Sequence, residues 1–239
     1  MRLTTKKAVI LAAGRGTRMG ELTRELPKPL IPLNGRPMLL HILDRMQAAG
    51  VEEVLLVTGY LADQLEATAS SHGIPVRFVR QEIANGTARA TLLARDWVGG
   101  EPFLLTFGDI LAESDHYRGM WQRYQGADGV LAARFVPDPY QGAAIYTDAA
   151  GRIERIVEKP PIGSSTTNWN SAGIYLFAPL IFDELARVPL SERGEYELTS
   201  AVTQMIEAGR NLGLFALEGT WMDVGRPADI AAAEQKLRG

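Results

Sequence analysis

Apolar residues along the chain alternate between short unbroken runs and stretches with helical spacing. The run AVILAA, residues 8–13, has the length and the branched apolar content of a strand buried on both faces. Over residues 37–49 apolar side chains recur at helical spacing, and Gly50 follows as a C-cap. The first two patterned segments therefore predict a buried strand followed, after a loop, by a helix.

The same two patterns continue as an alternation of strands and helices. They predict strands over EEVLLVTGY, VRFVRQ, EPFLLTFGD and DGVLAARFV, with helices over LADQLEATASSHG, TARATLLARDWV and about residues 114–125. Such an alternation is typical of an α/β fold, in which a Rossmann-like, mostly parallel sheet is flanked by helices. Ligands of these folds bind at the carboxyl ends of the strands.

From about residue 140 the pattern changes. It predicts a hairpin over AAIYTDAAGRIERIVEKP, a strand over NWNSAGIYLF, helices over 178–187 and 196–208, short strands in NLGLFALEG and WMDVG, and a last helix from Pro227. The sequence shows no linker, repeat or low-complexity segment. We therefore expect one domain over residues 1–239, in which the second half completes the sheet and adds a lid.

Composition narrows the functional classes. Hydrophobic residues make up 46% of the 239 residues, as in a globular protein, and the net charge of −3 disfavours nucleic acid as a partner. The sequence contains no cysteine, which excludes disulfides and thiol catalysis and favours a cytoplasmic setting. The apolar stretch near the start is too short to span a membrane, so no membrane insertion is expected.

Two glycines and two arginines follow the first strand in the stretch LAAGRGTRM. Gly14 and Gly16 permit a tight turn and close backbone approach, while Arg15 and Arg18 add positive charge, so the stretch predicts a phosphate-binding turn. Lys28 adds a third cation in ELPKPLIPLNGRP, a loop whose prolines exclude a continuous helix. A tight structural turn with solvated surface charges remains the alternative.

Two common nucleotide-binding motifs are excluded. The spacing in GRGTRMG is G-x-G-x-x-x-G rather than the dinucleotide pattern G-x-G-x-x-G, and the second strand ends in VTGY without the acidic residue that holds a ribose. A Walker A loop is excluded because no Gly-Lys-Ser/Thr follows the glycines. A phosphate bound at this turn would therefore belong to a ligand other than a nicotinamide cofactor.

LAAGRGTRM followed by LPKPLIPLNGRPML closely resembles the signature of the sugar-phosphate nucleotidyltransferases. QEIANGTARA is similar to the family's nucleotide segment, FGDI to its metal-binding Gly-Asp, VEKP to its Glu-Lys-Pro, NSAGIY to its sugar-contact strand, and WMDVGRPADI to its closing motif. These motifs cover nearly the whole chain in order. The resemblance implies a GT-A-like nucleotidyltransferase fold with a small inserted β/lid region.

The activity implied by this resemblance is attack of a sugar 1-phosphate on the α-phosphorus of a nucleoside triphosphate, which gives a nucleotide sugar and pyrophosphate. Residues up to about 135 would then form the nucleotide-binding half, and residues 136–239 would bind the sugar and complete the metal site. Charge neutralisation and in-line positioning suffice for this reaction. The sequence offers no evident nucleophilic side chain with a general base beside it. A homo-oligomer is left open.

Magnesium is the expected cofactor, since it takes carboxylate and phosphate oxygens. Asp109 and Asp223 each end a predicted strand and are the expected ligands, although capping or a turn explains either one taken singly. Arg18 would neutralise the departing pyrophosphate, and Lys28 would hold the triphosphate near its α-phosphate. These four residues are the predicted catalytic set.

The resemblance also implies two sets of binding residues. The nucleotide would be bound by Ala12, Ala13, Gly14, Gly16, Thr17, Gln81, Gly86 and Thr87. The sugar phosphate would be bound by Gly142, Glu158, Lys159, Asn170 and Gly173. For the two adjacent charges in VEKP, an exposed ion pair at a strand end is the structural alternative.

Two residues depart from the family pattern, on the sugar side of the site and in the closing motif. Arg226 stands where the family usually carries threonine, and Asn170 precedes Gly173 by three residues instead of two. Hexapeptide repeats are missing, so no attached acyltransferase activity is expected.

Two rival functions remain, a cytidylyltransferase acting on a phosphorylated alcohol such as phosphocholine, and an inactive regulatory subunit that binds nucleotide sugar. The base, the sugar, the oligomeric state and the pathway are not determined by the sequence.

Overall fold

The computed structural model describes residues 5–238, so both extreme ends of the predicted domain lie outside the described residues. The chain divides into two compact units. Unit 1 comprises the described residues of Met1–Ala84, Thr106–Arg118 and Gly219–Gly239, and unit 2 comprises Asn85–Leu105 and Gly119–Glu218. The functional halves on either side of residue 135 stay a prediction.

Strands and helices alternate along most of the chain. The strands are β1 (Lys7–Leu11), β2 (Pro32–Leu33), β3 (Arg36–Pro37), β4 (Glu53–Thr58), β5 (Val76–Arg80), β6 (Phe103–Phe107), β7 (Ile110–Ala112), β8 (Gly129–Phe135), β9 (Ala143–Thr147), β10 (Ile153–Glu158), β11 (Trp169–Phe177), β12 (Leu212–Ala216) and β13 (Trp221–Asp223). The helices are α1 (Met38–Ala48), α2 (Ala62–Ser70), α3 (Thr87–Leu92), α4 (Arg95–Val98), α5 (Ser114–Tyr124), α6 (Ile181–Arg187), α7 (Leu198–Glu207) and α8 (Ala228–Lys236).

Unit 1 is built on parallel strands. β1 pairs with β4 and β4 with β5, both in parallel, and the last residues of β6 lie beside β1. Val9 and Leu56 are fully buried, as expected for strands covered on both faces. α1 turns a fully buried apolar face inward, which includes Ile42 and Met46.

Two small antiparallel ribbons complete unit 1. β2 and β3 form a hairpin whose turn residue Asn34 donates its backbone N–H to Glu234 Oε1 at 3.0 Å, and this contact docks α8 on the hairpin. β7 pairs with β13 in the register Trp221↔Ala112 and Asp223↔Ile110. We call this second pair, Ile110–Ala112 with Trp221–Asp223, the aspartate ribbon.

Unit 2 combines antiparallel and parallel pairs. β9 and β10 form the predicted hairpin, β11 pairs with both β9 and β8, and β12 runs parallel to β8. The ring of Phe103 stacks on Phe182 of α6 at 5.2 Å and contacts Phe177 of β11 at 6.4 Å between centroids. These buried aromatic contacts anchor the start of β6 in the core of this unit.

The predicted α/β class, with a mostly parallel central sheet flanked by helices, is confirmed. One predicted helix is interrupted, because TARATLLARDWV forms α3 and α4 separated by a tight turn in which Ala94 N–H bonds Thr91 O at 3.0 Å. The sequence patterns also missed 3-10 helices at Thr17–Thr23 and Lys28–Leu30, and strand β7. Within residues 5–238, no helix combines the length and apolar character needed to span a membrane.

Candidate functional site

The turn after β1 brings its backbone close to the lysine of the proline-rich loop. Ala12 and Ala13 are buried, with Ala12 N–H bonded to Val57 O at 2.8 Å. Gly16 adopts φ +63°, and a Cβ at this position would lie 2.9 Å from Lys28 Cβ. A side chain at residue 16 would therefore displace the lysine, which explains why glycine is needed there.

Lys28 is a buried cation with a carboxylate partner. It is 7% exposed, and its Nζ forms a close ion pair with Asp109 Oδ2. Gly108 permits this approach, because a Cβ there would lie 2.8 Å from Pro29 Cγ. Gly108 N–H also bonds Leu11 O at 2.9 Å, which ties the segment after β6 to the end of β1. Burial without a partner would be costly for the lysine, so Asp109 compensates its charge in the ligand-free protein.

The aspartate ribbon brings Asp223 beside Asp109. Asp223 pairs with Ile110 across the ribbon, and Val224 N–H donates to Asp109 O at 3.0 Å. A Cβ on Gly225 would lie 3.4 Å from Asp223 Oδ1 and 3.5 Å from Arg18 Nη1, so these two side chains converge on the same backbone position. Four residues that are spread over the sequence are thus close together in unit 1. We call Arg18, Lys28, Asp109 and Asp223 the unit 1 cluster.

The electrostatics of Asp223 follow from this arrangement. Crowding by protein atoms and the negative charge of Asp109 raise the pKa of Asp223, and the cations Lys28 and Arg18 lower it in part. The side chain nevertheless stays exposed to solvent. Its carboxylate is therefore accessible to a ligand.

The donor set of the unit 1 cluster fits a divalent cation. Two neighbouring carboxylates offer hard oxygen ligands, and a cation beside them would favour the ionised form of Asp223, whose pKa is raised by crowding and by the charge of Asp109. Within residues 5–238, no group of three or more acidic or histidine side chains is arranged to hold a metal. Two carboxylates suit magnesium, which keeps several waters and takes phosphate oxygens as further ligands.

The predicted nucleotide-binding residues fall in both units. In unit 1, Gln81 follows β5, and its backbone N–H donates to Thr58 O at 2.8 Å. It therefore lies at the carboxyl ends of the parallel strands, as Ala12 and Ala13 do. Gly14, Thr17 and Arg18 are exposed on the turn after β1, and a Cβ on Gly14 would meet nothing within 4 Å. The side chain of a different residue at position 14 would therefore fit the ligand-free turn.

Gly86 and Thr87 belong to unit 2, where they pack against the segment before α7. Gly86 adopts φ +121°, and a Cβ there would lie 2.3 Å from Tyr196 O. Ala88 N–H bonds the same carbonyl at 2.8 Å, and Leu198 N–H donates to Thr87 Oγ1 at 2.9 Å. Glycine at position 86 is thus explained by close backbone packing within unit 2.

The predicted sugar-phosphate residues Gly142, Glu158, Lys159 and Asn170 converge in unit 2. Lys159 N–H bonds Gly142 O at 2.7 Å, and Glu158 lies opposite Ala143 in the β9–β10 pair. A Cβ on Gly142 would lie 2.4 Å from Asn170 Oδ1, so the amide fills the space that glycine leaves. That oxygen is buried and has no hydrogen-bond partner among the described residues.

Glu158 has a cationic partner that the sequence reasoning missed. Arg193 bonds Glu158 Oε1 through Nη2 at 3.3 Å and Glu197 Oε1 through Nε at 3.0 Å. Partial burial raises the pKa of Glu158, and the charge of Arg193 lowers it in part. The charged stretch RGEYE, residues 193–197, was the signal that could have identified this residue. We call Glu158, Lys159, Asn170 and Arg193 the unit 2 cluster.

Gly173 marks an irregularity in β11. It adopts φ +69°, and the pairing of β11 with β8 shifts register between Ser171 and Tyr175. A bulge of this kind bends the strand and increases its local twist. The predicted role of Gly173 as a sugar contact stays a prediction.

Comparison with known proteins identifies the family. The family model for nucleotidyl transferases matches residues 7–239. The chain belongs to the nucleotidyl transferase family. It is 32% identical over 239 residues to the UTP–glucose-1-phosphate uridylyltransferase AglF of Haloferax volcanii, covering 97% of this chain and 96% of that protein.

Longer relatives share the same region. Identity is 35% over 230 residues with the bifunctional protein GlmU of Methanocaldococcus jannaschii, covering 96% of this nucleotidyl transferase chain but 54% of that protein. The sequence identity with the glucose-1-phosphate thymidylyltransferase of Streptomyces griseus is 32% over 230 residues, which covers 94% of this chain and 64% of that protein. The chain thus spans about half to two thirds of the length of these two relatives.

A solved structure confirms the fold. UDP-glucose pyrophosphorylase in complex with UDP-glucose superposes with a TM-score of 0.87 at 23% identity, covering 98% of this chain and 99% of that one. This likeness shows the nucleotidyl transferase fold. Enzymes of the family generally use a divalent metal, which agrees with the chemistry of the unit 1 cluster.

Proposed function

We propose that this protein transfers a nucleotidyl group from a nucleoside triphosphate to a sugar 1-phosphate, with magnesium as cofactor, and releases pyrophosphate. One observation carries the proposal. Asp109 and Asp223 lie side by side at the end of the aspartate ribbon, with Lys28 and Arg18 beside them and the glycine turn after β1 adjacent. Two carboxylates and two cations that lie close together are what a metal-bound triphosphate requires.

The charges of the unit 1 cluster match the charge changes of the reaction. A phosphate oxygen of the sugar 1-phosphate forms a bond to the α-phosphorus, and the bond from that phosphorus to the bridging oxygen breaks, so negative charge grows on pyrophosphate. Arg18, which is exposed on the turn, neutralises that charge. Lys28 exchanges its bond to Asp109 for the triphosphate.

Asp109 and Asp223 are the residues that would hold magnesium. When bound, the ion would neutralise phosphate oxygens and orient them for in-line displacement. The raised pKa of Asp223 means that a proton competes with the ion at this carboxylate, so we expect the affinity for magnesium to fall as the solution becomes acidic.

The unit 2 cluster supplies the groups that a sugar phosphate needs. Lys159 offers a cation for the phosphate, and Glu158 offers an acceptor for sugar hydroxyls. The buried Asn170 Oδ1, without a partner among the described residues, offers a second acceptor. A sugar hydroxyl that donated to Asn170 Oδ1 would give this oxygen the partner that it lacks among the described residues, which supports a hydroxylated substrate.

The relatives differ in the base and sugar that their names specify. They include a uridylyltransferase and a thymidylyltransferase for glucose 1-phosphate and a mannose-1-phosphate guanyltransferase. The base that Gln81 would contact and the sugar therefore stay open within the proposal. Cytoplasmic localisation, supported by the absence of cysteine, and homo-oligomer formation stay predictions.

A substrate matrix tests the proposal. The five common nucleoside triphosphates are each combined with a panel of sugar 1-phosphates and with phosphocholine, and pyrophosphate release is measured with and without magnesium. We expect release with at least one sugar 1-phosphate and only when a divalent cation is present. Release with phosphocholine alone would establish the cytidylyltransferase alternative. Tight binding of a nucleotide sugar without release in any combination would establish a regulatory subunit and overturn the proposal.

A further inference from the structure

The end of the aspartate ribbon away from Asp109 and Asp223 carries a carboxylate that the proposed reaction does not use. Glu113 follows β7 directly, and Thr220 precedes β13 directly. Because the two strands are antiparallel, these residues face each other across the ribbon. The two aspartates lie at one end of the ribbon, and the Glu113–Thr220 pair lies at the other.

The contacts of Glu113 close this far end of the ribbon. Thr220 N–H donates to Glu113 Oε1 at 2.8 Å, and the hydroxyl of Thr220 also bonds the carboxylate. Gly219 adopts φ +80°, and a Cβ there would lie 3.2 Å from Glu113 Oε2, so the backbone of residues 219 and 220 wraps closely around the carboxylate. These hydrogen bonds lower the pKa of Glu113, which is therefore ionised at neutral pH.

Glu113 is itself held by the helix that follows. Its backbone N–H donates to Nδ1 of the buried His116 at 3.2 Å, within the first turn of α5. β7 packs on α1, and Arg45 of α1 adds a favourable charge to the carboxylate. One strand of the ribbon is thus fixed to two helices, and Glu113 connects the other strand to it.

The aspartate ribbon needs such a connection. It contains three residue pairs, and a slip by one residue would turn Asp223 to the opposite face of β13. Hydrogen bonds at the far end of so short a ribbon therefore help to hold the register that places Asp223 beside Asp109.

We propose that Glu113 is a positioning residue for the metal site, because its hydrogen bonds to Thr220 fix the register of the aspartate ribbon and hold Asp223 beside Asp109. The inference rests on the proposed function for the role of the metal, but the structural part of it does not. Glu113 acts through Asp223 and contacts neither substrate nor metal itself.

Three substitutions separate a hydrogen-bonding role from a purely electrostatic one. Glu113→Gln keeps an oxygen acceptor at the same reach and removes the charge. Glu113→Asp keeps the charge and shortens the side chain by one methylene, so that it no longer reaches Thr220 N–H. Glu113→Ala removes both. Glu52→Ala is the matched control, since Glu52 is a unit 1 glutamate that accepts the N–H of Lys6 at 3.2 Å.

The first readout is amide hydrogen exchange of residues 219–224 in the protein without ligands. We expect roughly tenfold faster exchange in the Ala and Asp variants, and exchange close to wild type in the Gln variant and in the control. The second is binding of Mn²⁺, as a spectroscopic substitute for Mg²⁺, by paramagnetic resonance. We expect about tenfold weaker binding in the Ala and Asp variants alone.

Each contrary result has a definite meaning. Unchanged exchange and unchanged Mn²⁺ binding in the Ala and Asp variants would overturn the inference. Weak binding in the Gln variant with normal binding in the Asp variant would also overturn it, since charge alone would then matter. Should Ala or Asp fail to fold, a Gln variant with fast exchange over residues 219–224 would count against the inference.

Failure of the proposed function is a separate outcome. If the wild-type protein releases no pyrophosphate with any substrate pair, the exchange measurements still decide whether Glu113 holds the ribbon. If the protein is active, magnesium titration of turnover gives a third readout. The Ala and Asp variants should need about tenfold more magnesium for half-maximal rate, with the KM for sugar 1-phosphate unchanged.

Discussion

The unit 1 cluster and the unit 2 cluster are both polar, but their groups suit different kinds of ligand. In unit 1, two acids and two cations come from four separate stretches of chain, and their charges nearly cancel. In unit 2, Glu158 and Lys159 are neighbours in sequence, Asn170 comes from β11, and an amide oxygen is left without a partner among the described residues. The first arrangement suits an ion and a polyanion, and the second suits hydroxyl groups.

The contrast between the two clusters predicts which substitutions should affect turnover and which should affect substrate affinity. In the proposed reaction, the charges of the unit 1 cluster stabilise the negative charge that grows on the departing pyrophosphate. Because that charge develops in the transition state, loss of a unit 1 charge should reduce kcat. Hydrogen-bonding groups that hold a distant part of the substrate should affect the KM for that substrate first.

The largest effect should come from Asp109 in the unit 1 cluster. We expect Asp109→Asn to reduce turnover roughly 100- to 1,000-fold, because one proposed metal ligand is lost and Lys28 is left beside a neutral group. The measurement is pyrophosphate release at saturating substrates, with circular dichroism to confirm the fold. Asp115→Asn is the control, since Asp115 is an exposed unit 1 aspartate paired with Arg118. Near-wild-type turnover of Asp109→Asn would refute the metal role.

Lys159 should show the contrasting behaviour of the unit 2 cluster. We expect Lys159→Ala to raise the KM for sugar 1-phosphate roughly 10- to 100-fold, because a charge-assisted hydrogen bond to the phosphate is lost, while the KM for the nucleoside triphosphate stays unchanged. Initial rates with each substrate varied in turn give both constants. Arg152→Ala, at an exposed arginine of the same hairpin, should change neither. A rise in the KM for the nucleoside triphosphate alone would show that Lys159 binds that substrate and not the sugar 1-phosphate.

Arg193 should have a smaller effect that depends on pH. Its charge lowers the pKa of Glu158, which partial burial raises, so removing it should raise that pKa further. In Arg193→Gln, Glu158 would become protonated at a higher pH, and the acidic limb of kcat/KM for the sugar substrate should move upward, with a loss of about tenfold or less at neutral pH. Arg193→Lys should restore most of the profile. Parallel profiles for wild type and Arg193→Gln would contradict this role.

Sequence patterns were sufficient for the fold but not for all of the site. Apolar periodicity predicted α1 and the buried strands of unit 1, because burial on one or both faces determines which residues can occupy them. The short strand β7 was not predicted, since three residues show no periodicity. The roles of Arg193 and Glu113 were not predicted for a different reason. Their roles depend on partners at Glu158 and Thr220, and only the folded chain brings these together.

The smallest effect is on stability, and it separates the two acids within the unit 1 cluster. Asp109 has Lys28 as a partner, whereas Asp223 has a raised pKa that reflects its crowded surroundings and the charge of Asp109. A carboxyl group whose pKa is raised by folding costs stability when it is ionised. Asp223→Asn should therefore raise the melting temperature of the ligand-free protein at neutral pH, by roughly 1 to 3 °C since the side chain is exposed to water.

The pH dependence fixes the sign of this effect. As the pH falls through the raised pKa of Asp223, the wild-type carboxyl takes up a proton sooner in the folded than in the unfolded chain, so its cost disappears and the two melting temperatures should converge. Asp109→Asn should lower the melting temperature instead, because Lys28 stays buried with a neutral partner. Differential scanning calorimetry of the three proteins across pH measures both trends. Equal destabilisation by the two substitutions at neutral pH would mean that Asp223 is as well paired as Asp109, and the contrast between them would be wrong.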